Sequence, residues 1–502
     1  MTSGRKKAIL GDKVRRLRRQ RGVTQTALAG ELGISPSYLN LIEHNQRPVT
    51  VPLLIKLAQA LEVDLAGFAD HDEAQLLTDL REVFGDSLFR GRDIGLSELR
   101  ELVAAAPEAG RAVLDLYGAY SRVCDDRAAL FERLDGGDGP SGTAAASRLA
   151  SEEITDFVQS RANHFPELEE AAERLWREAR LEYGDVHAGL VRHLDESLGV
   201  RVRIARFAES AGAVRRYEER EREIMLSEVL PQSSRNFQLA NQIALLQYRA
   251  TIDGCLEGTR FANPDTPALA RVALANYFAG AVLMPYEAFL GAARDLRCDI
   301  DILEHRFGVS FEQACHRLTT LQRPGARGVP LHFVRVDIAG NISKRFSASG
   351  IQISRQGGAC PRWNVYDAFM SPGLIRTQVS RTPDGATYFC IARTVQKQGG
   401  GYWQRQSYLA IGLGCRIEDA KAFVYADSVD LENPDAAVSI GVNCRICERL
   451  DCRQRAFPPI HHRINVDENV RGYSAYVTPA ASHPPPDGAS RRRRDDDAGR
   501  RP

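Results

Sequence analysis

The stretch Cys444-Arg-Ile-Cys447-Glu-Arg-Leu-Asp-Cys452 sets three thiols within nine residues, spaced C-x2-C-x4-C. A C-x2-C turn points two sulfurs at one centre, and the third follows one short turn later. Thiolates in such an array suit zinc or an iron–sulfur cluster, and either takes four ligands. The fourth must come from elsewhere in the chain. Cys415 is the favoured donor, because Gly412-Leu-Gly-Cys415 reads as a turn. Cys360, followed by Pro361, is its rival, and His461 or His462 comes after both. Cys390 sits in an apolar run, and Cys124, Cys255, Cys298 and Cys315 are isolated, so these five read as packing residues. Spacing alone does not separate zinc from iron–sulfur.

A second kind of chemistry sits at the other end of the chain. Residues 1–50 carry ten basic side chains against Asp12, Glu31 and Glu43, an excess of seven positive charges in a chain whose overall net charge is +1. Phosphate neutralisation supplies much of the affinity of a DNA-binding module, so this local asymmetry points to a nucleic-acid partner. A chain of 502 residues has material for roughly two to four domains. Ten cysteines at that length are too dilute for a disulfide scaffold, and no apolar run is long enough to span a bilayer. No apolar segment follows the basic N-terminus, so a secretory signal is not expected. A cytoplasmic protein without membrane contact is the expectation.

Local patterns supply the elements. Residues 8–20 read as a basic amphipathic helix with Val14 and Leu17 inward. Thr24 caps a second helix carrying Leu28 and Leu32, and Gly33 supplies a tight turn. Ser35 at the cap and Pro36 at the first helical position start a third helix through Glu43, with Leu39 and Ile42 inward and Ser37, Tyr38 and Asn40 outward. A further helix runs from Thr50 to Leu61. Helix, short turn, helix is helix-turn-helix geometry. These residues resemble the Xre/Cro-type family. The resemblance implies that Gln25 contacts phosphate, that Ser35, Ser37, Tyr38 and Asn40 approach base edges, and that Asn45 and Arg47 hold phosphates.

Residues 71–150 read as helical, serving either dimer contacts or packing within one chain, with a flexible break at Gly136–Gly142. Beyond them Leu198–Phe207 and Arg220–Leu230 contain strands. Then come Phe237-Gln-Leu-Ala-Asn241-Gln242-Ile-Ala-Leu245 and Leu274-Ala-Asn-Tyr-Phe-Ala…Leu283-Met-Pro285, which resemble the ImmA/IrrE-type metallopeptidase domain. In that family two histidines and a glutamate of an H-E-x-x-H helix hold zinc and a water. Here Asn241, Gln242 and Leu245 stand at those positions and Leu274 at the later glutamate, so peptidase activity is not expected. A hollow domain of this kind retains a pocket, and Arg235, Asn241, Gln242 and Tyr248 are the candidates to line it.

From Leu331 the texture turns to short alternating runs: His332–Asp337, Ile351–Ser354, Thr387–Ala392 and Tyr408–Ile411. The phrases Gly357-Gly-Ala-Cys360-Pro-Arg-Trp363, Tyr425-Ala-Asp and Gly441-Val-Asn-Cys444…Cys452-Arg-Gln-Arg-Ala-Phe-Pro-Pro459 are similar to the short-chain fatty-acyl transcriptional regulators. That resemblance implies control of acetate, propionate or glyoxylate-cycle genes, an acyl-CoA or CoA effector, and a [4Fe–4S] cluster. It also implies binding to double-stranded DNA as a homodimer or homotetramer.

The expected fold is multidomain: an all-α helix-turn-helix domain (1–70), a helical linker (71–150), an α+β degenerate zincin-like domain (151–330) and an α+β C-terminal domain with the metal or cluster site (331–478). Residues 479–502, with opposed blocks of arginine and aspartate, read as a disordered tail. The competing reading is an antitoxin-like or peptidase-related interaction module with structural zinc.

Overall fold

A computed structural model describes residues 11–459, apart from 45, 48, 50, 62–70, 90–93, 135–140, 211, 355–357 and 398–405. Asn45, His461, His462, most of the expected break at 136–142 and the tail at 479–502 therefore lie outside the described residues.

The first four helices are α1 (Gly11–Gln20), α2 (Gln25–Leu32), α3 (Pro36–Glu43) and α4 (Val51–Ala60). Their apolar stripes meet in one small core of Val14, Leu28, Leu32, Leu39, Ile42 and Leu57. The termini are set by side chains as the sequence predicts. Thr24 accepts a hydrogen bond from Ala27 N, Ser35 accepts one from Tyr38 N, and Gly33 ends α2 at φ 69°. A positive φ of this kind favours glycine.

Four more helices follow: α5 (His71–Phe84), α6 (Leu96–Ala105), α7 (Pro107–Leu134) and α8 (Ser141–Ser160). Leu76, Leu80, Leu99 and Val103 form the slender core that joins α5 to α6 and α7. The middle domain adds α9 (Pro166–Glu178), α10 (Val186–Glu196), α11 (Gln232–Gln247), α12 (Arg249–Leu256), α13 (Thr266–Leu283), α14 (Tyr286–Asp295), α15 (Ile300–Phe307) and α16 (Phe311–Thr319). Its sheet has three strands in the order β1-β3-β2, namely β1 (Arg201–Ala205), β2 (Arg215–Glu218) and β3 (Glu223–Ser227). The two expected strands are β1 and β3. β2, with the sequence Arg-Arg-Tyr-Glu, lacks an apolar face, as suits a charged edge strand.

The C-terminal sheet runs β5-β4-β8-β7-β6-β9. Its strands are β4 (Leu331–Asp337), β5 (Ile342–Ser347), β6 (Arg376–Arg381), β7 (Thr387–Lys397), β8 (Ser407–Arg416) and β9 (Val438–Ser439). Strand alternation divides two cores. Leu331, Phe333, Phe389, Ile391, Ile411, Leu413 and Cys415 face one way, onto α14–α16. Val334, Val336, Tyr388, Cys390, Ala392 and Ala410 face the other way, onto Cys360, Trp363 and Val365.

Two sequence expectations fail here. Ile351–Ser354 is not a strand: Ile351 and Ile353 are buried in the second core, but the segment is irregular. Gly412–Cys415 is no turn, since it lies inside β8 between β4 and β7. Its glycines answer to crowding. A side-chain carbon at Gly412 would stand 2.8 Å from Val334, and one at Gly414 would stand 2.5 Å from the His332 ring.

Candidate DNA-reading edge, effector cavity and cysteine loop

At the reader, Ser37, Asn40 and Arg47 are exposed and Tyr38 packs partly against the core. The Ser35 hydroxyl is engaged as the α3 cap, a role distinct from reading a base. Gln25 is tied inward, with Nε2 donating to Glu43 Oε2 at 3.0 Å and to Asn40 Oδ1 at 3.3 Å. Glu43 also accepts Arg18 Nε at 2.6 Å and Nη2 at 3.0 Å. Arg18, one of the ten basic residues in the N-terminal count, therefore braces α1 against α3. The sequence signal for that pair was a glutamate at an otherwise apolar inner position of α3.

Ser35→Ala removes one hydroxyl–amide bond and is expected to cost the reader about 1 kcal/mol of stability, measurable by denaturant titration. Asn40→Ala leaves the core untouched and is expected to lower specific affinity by about 1–3 kcal/mol, with nonspecific binding preserved. Equal losses on specific and random duplexes would remove the base-reading role.

In the middle domain, the metallopeptidase positions are filled by other interactions. Asn241 is buried, donates to Asn276 Oδ1 at 2.9 Å and accepts from Arg215 Nη1 at 2.5 Å. Arg215 also donates to Gln238 O. A fixed guanidinium beside α11 repels a divalent cation at the place where the family holds zinc. Leu274 is buried, and neither it nor Leu245 offers a ligand atom.

The cavity of this domain opens beside the first half of α11, along Ser234, Phe237 and Gln238. It measures about 360 Å³ and is lined by Phe237, Leu274, Met284, Phe333 and Phe346 on its apolar side. None of Arg235, Asn241, Gln242 and Tyr248 lines it. Arg235 donates to Glu228 O, and Tyr248 is buried with its hydroxyl on Glu178. Ser234, Phe237 and Gln238 of α11 line the cavity, and Asn241 reaches it only through Asn276. On the polar side three cations converge on one carboxylate. Arg335 Nη1 lies 2.8 Å, Lys397 Nζ 2.6 Å and Lys344 Nζ 3.7 Å from Glu312. Burial would raise the Glu312 carboxyl, but Lys344, Lys397 and Arg335 outweigh it and hold it at about 2. His316 beside them is pushed by burial down to about 3 and is neutral. Sequence reading missed this cluster because its members come from α16, β4, β5 and β7.

The cysteine loop lies on the second face of the C-terminal sheet. Cys452 is buried, while Cys444 and Cys447 are half-buried. Buried Arg455 ties the loop from beneath, donating to the carbonyls of Cys444, Cys447, Arg449 and Phe457. Gly441 leaves room for the Cys447 sulfur, since a side-chain carbon there would stand 2.7 Å from it.

The favoured fourth donor is corrected. Cys415 is fully buried on the opposite face of the sheet, among α14–α16, and burial pushes its thiol far up. Cys360 is the thiol that faces the loop. Burial raises it, it accepts N–H groups of Gly441 and Arg362, and Cys444 and Cys447 lie within its electrostatic reach. Among the described residues no three histidine, cysteine, aspartate or glutamate side chains are grouped to hold a metal ion. The donor set still fits a thiophilic centre: four thiols, a glycine vacated for one sulfur, and backbone N–H groups on another. Cys255, Cys298, Cys315 and Cys390 are buried packing residues, as expected.

Known protein families match three stretches of the chain. Family profiles match residues 14–68 as a helix-turn-helix, 195–319 as an IrrE N-terminal-like domain and 320–476 as the C-terminal domain of a short-chain fatty acyl coenzyme A regulator. The HTH-type transcriptional regulator RamB of Mycobacterium tuberculosis is 40% identical over 94% of this chain and 99% of its own.

The chain belongs to the short-chain fatty-acyl transcriptional regulators.

Within that family, the regulator PrpR of Mycobacterium tuberculosis is 39% identical over 91% of this chain and 93% of its own. The propionyl-CoA carboxylase regulator of Cereibacter sphaeroides is 39% identical over 94% and 98%. A solved Mycobacterium tuberculosis transcriptional regulator superposes with a TM-score of 0.62 at 42% identity, covering 66% of this chain and 99% of that one. The chain is thus a DNA-binding transcriptional regulator of short-chain fatty-acyl metabolism. No single described helix is long and apolar enough to cross a membrane.

Proposed function

We propose that this regulator acts in the cytoplasm without catalysis of its own, and that its effector is an acyl-CoA-type thioester bound in the cavity beside α11 and α13. The carrying observation is the excess of cations at that cavity. Arg335, Lys344 and Lys397 share the single carboxylate of Glu312, so the site lacks negative charge that a ligand's phosphates would supply. The apolar wall of Phe237, Leu274, Met284 and Phe346 suits a short acyl group, worth about 0.8 kcal/mol per buried methylene. Neutral His316 and Asn276 offer polar contacts near that wall. A ligand held there touches α8, α11, α13 and the C-terminal sheet together, and its binding energy would favour one arrangement of these elements.

The cysteine loop completes the proposal. Cys360, Cys444, Cys447 and Cys452 would hold a [4Fe–4S] cluster, with zinc as the alternative. A cluster would add redox sensitivity, whereas zinc would fix the loop. Paired half-sites would call for a homodimer or homotetramer.

Titration calorimetry with propionyl-CoA tests the effector site. Lys344→Ala and Lys397→Ala are each expected to weaken binding roughly tenfold, since a hydrogen bond to a charged group contributes about 1.5–3 kcal/mol. Unchanged affinity in both variants would place the effector elsewhere.

A further inference from the structure

α13 forms one wall of the cavity beside α11. From Ala273 to Met284 every residue is buried except Ala273, Asn276 and Gly280, which are partly accessible. These three recur at helical spacing, so they share one face, and all three line the cavity.

Gly280 has no steric reason to be glycine. Inside a helix glycine is less stable than alanine, because its backbone loses more freedom on folding, and it is kept where another group approaches closely. Gly189 in α10 is of that kind, since a side-chain carbon there would stand 2.6 Å from Leu181. A carbon added at Gly280 meets no atom within 4 Å. The missing side chain instead leaves a slot in the cavity wall. Tyr277 and Met284, three residues before and four after, flank that slot on the same helix and are buried. α13 places no charge along it, because Leu274 stands where the metallopeptidase pattern has a glutamate.

Asn276 supplies a polar reference point one turn earlier. Its Oδ1 accepts Asn241 Nδ2 at 2.9 Å, and Asn241 is itself held by Arg215. That chain fixes the amide and leaves its NH2 group as a donor for a ligand in the cavity. Four residues separate Asn276 from Gly280, about 6 Å along the helix, which is the reach of a short acyl chain and not of a fatty one.

We infer that Gly280 sets the acyl-chain selectivity of the effector site. The thioester carbonyl accepts from the Asn276 amide, and the chain lies in the slot that Gly280 leaves open. This rests on the reading of the cavity as the acyl-CoA site. Any side chain at position 280 then takes the place of acyl methylenes.

The test is titration calorimetry of the full-length protein with free CoA and with acetyl-, propionyl-, butyryl- and hexanoyl-CoA. In the wild type each methylene that enters the slot is expected to raise affinity about fourfold, the equivalent of its transfer from water. Gly280→Ala puts a methyl into open space, so its Tm should equal or exceed that of the wild type. It is expected to weaken butyryl-CoA roughly fivefold, with free CoA bound as in the wild type. Gly280→Leu fills the slot and is expected to leave every thioester at the affinity of free CoA. Asn276→Leu is expected to weaken all the thioesters by one common factor. Gly280 variants that match the wild type at every chain length, or that lose affinity by one common factor, overturn the assignment. If Lys344→Ala and Lys397→Ala still weaken binding, that result rejects the role of Gly280 and leaves the site in place. A wild-type protein that binds neither CoA nor any thioester overturns the reading of the cavity instead.

Discussion

Replacing Cys360 by serine is expected to abolish metal binding, while Cys415→Ser retains it in full. A serine hydroxyl does not ionise near neutral pH, so it cannot supply the fourth thiolate. Cys415 lies across the sheet, where serine would leave a hydroxyl among Phe389, Leu413 and Phe423 and cost stability alone. Gly441→Ala should fall between these two, because its new methyl meets the Cys447 sulfur. A loss of about 10–100-fold in metal affinity is expected for such a displaced support. Metal analysis and visible absorption of anaerobically purified variants distinguish the outcomes. Full metal content in Cys360→Ser, with loss in Cys415→Ser, would restore the reading that the structure corrects.

The largest effect on stability is expected at Arg317. Its guanidinium, buried in the middle domain, meets Glu169 through Nη1 at 2.6 Å and Nη2 at 2.9 Å. It also donates to Met284 O and Thr320 Oγ1, and the Tyr277 hydroxyl donates to Glu169 Oε1 at 2.6 Å. Arg317→Met leaves a carboxylate buried without its cation, which is expected to cost about 3–5 kcal/mol. On a domain of this size that lowers Tm by roughly 10 °C, measurable by calorimetry. Changing Glu169 to leucine and Tyr277 to phenylalanine in the same background should recover most of the loss, because the unpaired polar groups are then gone.

The pH dependence separates this pair from simple packing. Burial alone would raise the Glu169 carboxyl, but Arg317 and the Tyr277 hydroxyl hold it below its ordinary value. The ion pair's contribution is therefore complete above the unfolded carboxylate range, near pH 4.3, and is lost as pH falls toward the folded value. In Arg317→Met the sign reverses: burial then favours the protonated carboxyl, and the variant gains relative stability on acidification. Parallel stability curves for the two proteins between pH 3 and 6 would contradict the assignment.

Elements with strong local signals were readable in the chain itself. Thr24, Gly33, Ser35 and Pro36 punctuate the reader because capping is a matter of a few neighbouring atoms. The departure from the metallopeptidase pattern was equally plain, since Asn241, Gln242, Leu245 and Leu274 offer neither the family's ligands nor its base. The cavity proposed for the effector was not legible. Lys344 and Lys397 are far apart in sequence and meet at Glu312 only through the pairing of β5, β4, β8 and β7. Cys415 was misread for a related reason. A Gly-Leu-Gly run resembles a turn until its neighbours Val334 and His332 are seen filling the space above it. Once β8 is a strand, alternation alone sends Cys415 away from Cys360.

An effector-responsive DNA reader must change its operator affinity when acyl-CoA binds. Fluorescence anisotropy on a duplex enriched by the protein from a random-sequence library, with and without saturating propionyl-CoA, should give at least a fivefold change in operator affinity. The same titration with Lys344→Ala/Lys397→Ala should give no change while binding to the duplex alone persists. A wild-type protein whose operator affinity ignores acyl-CoA, or that enriches no sequence at all, is not such a reader.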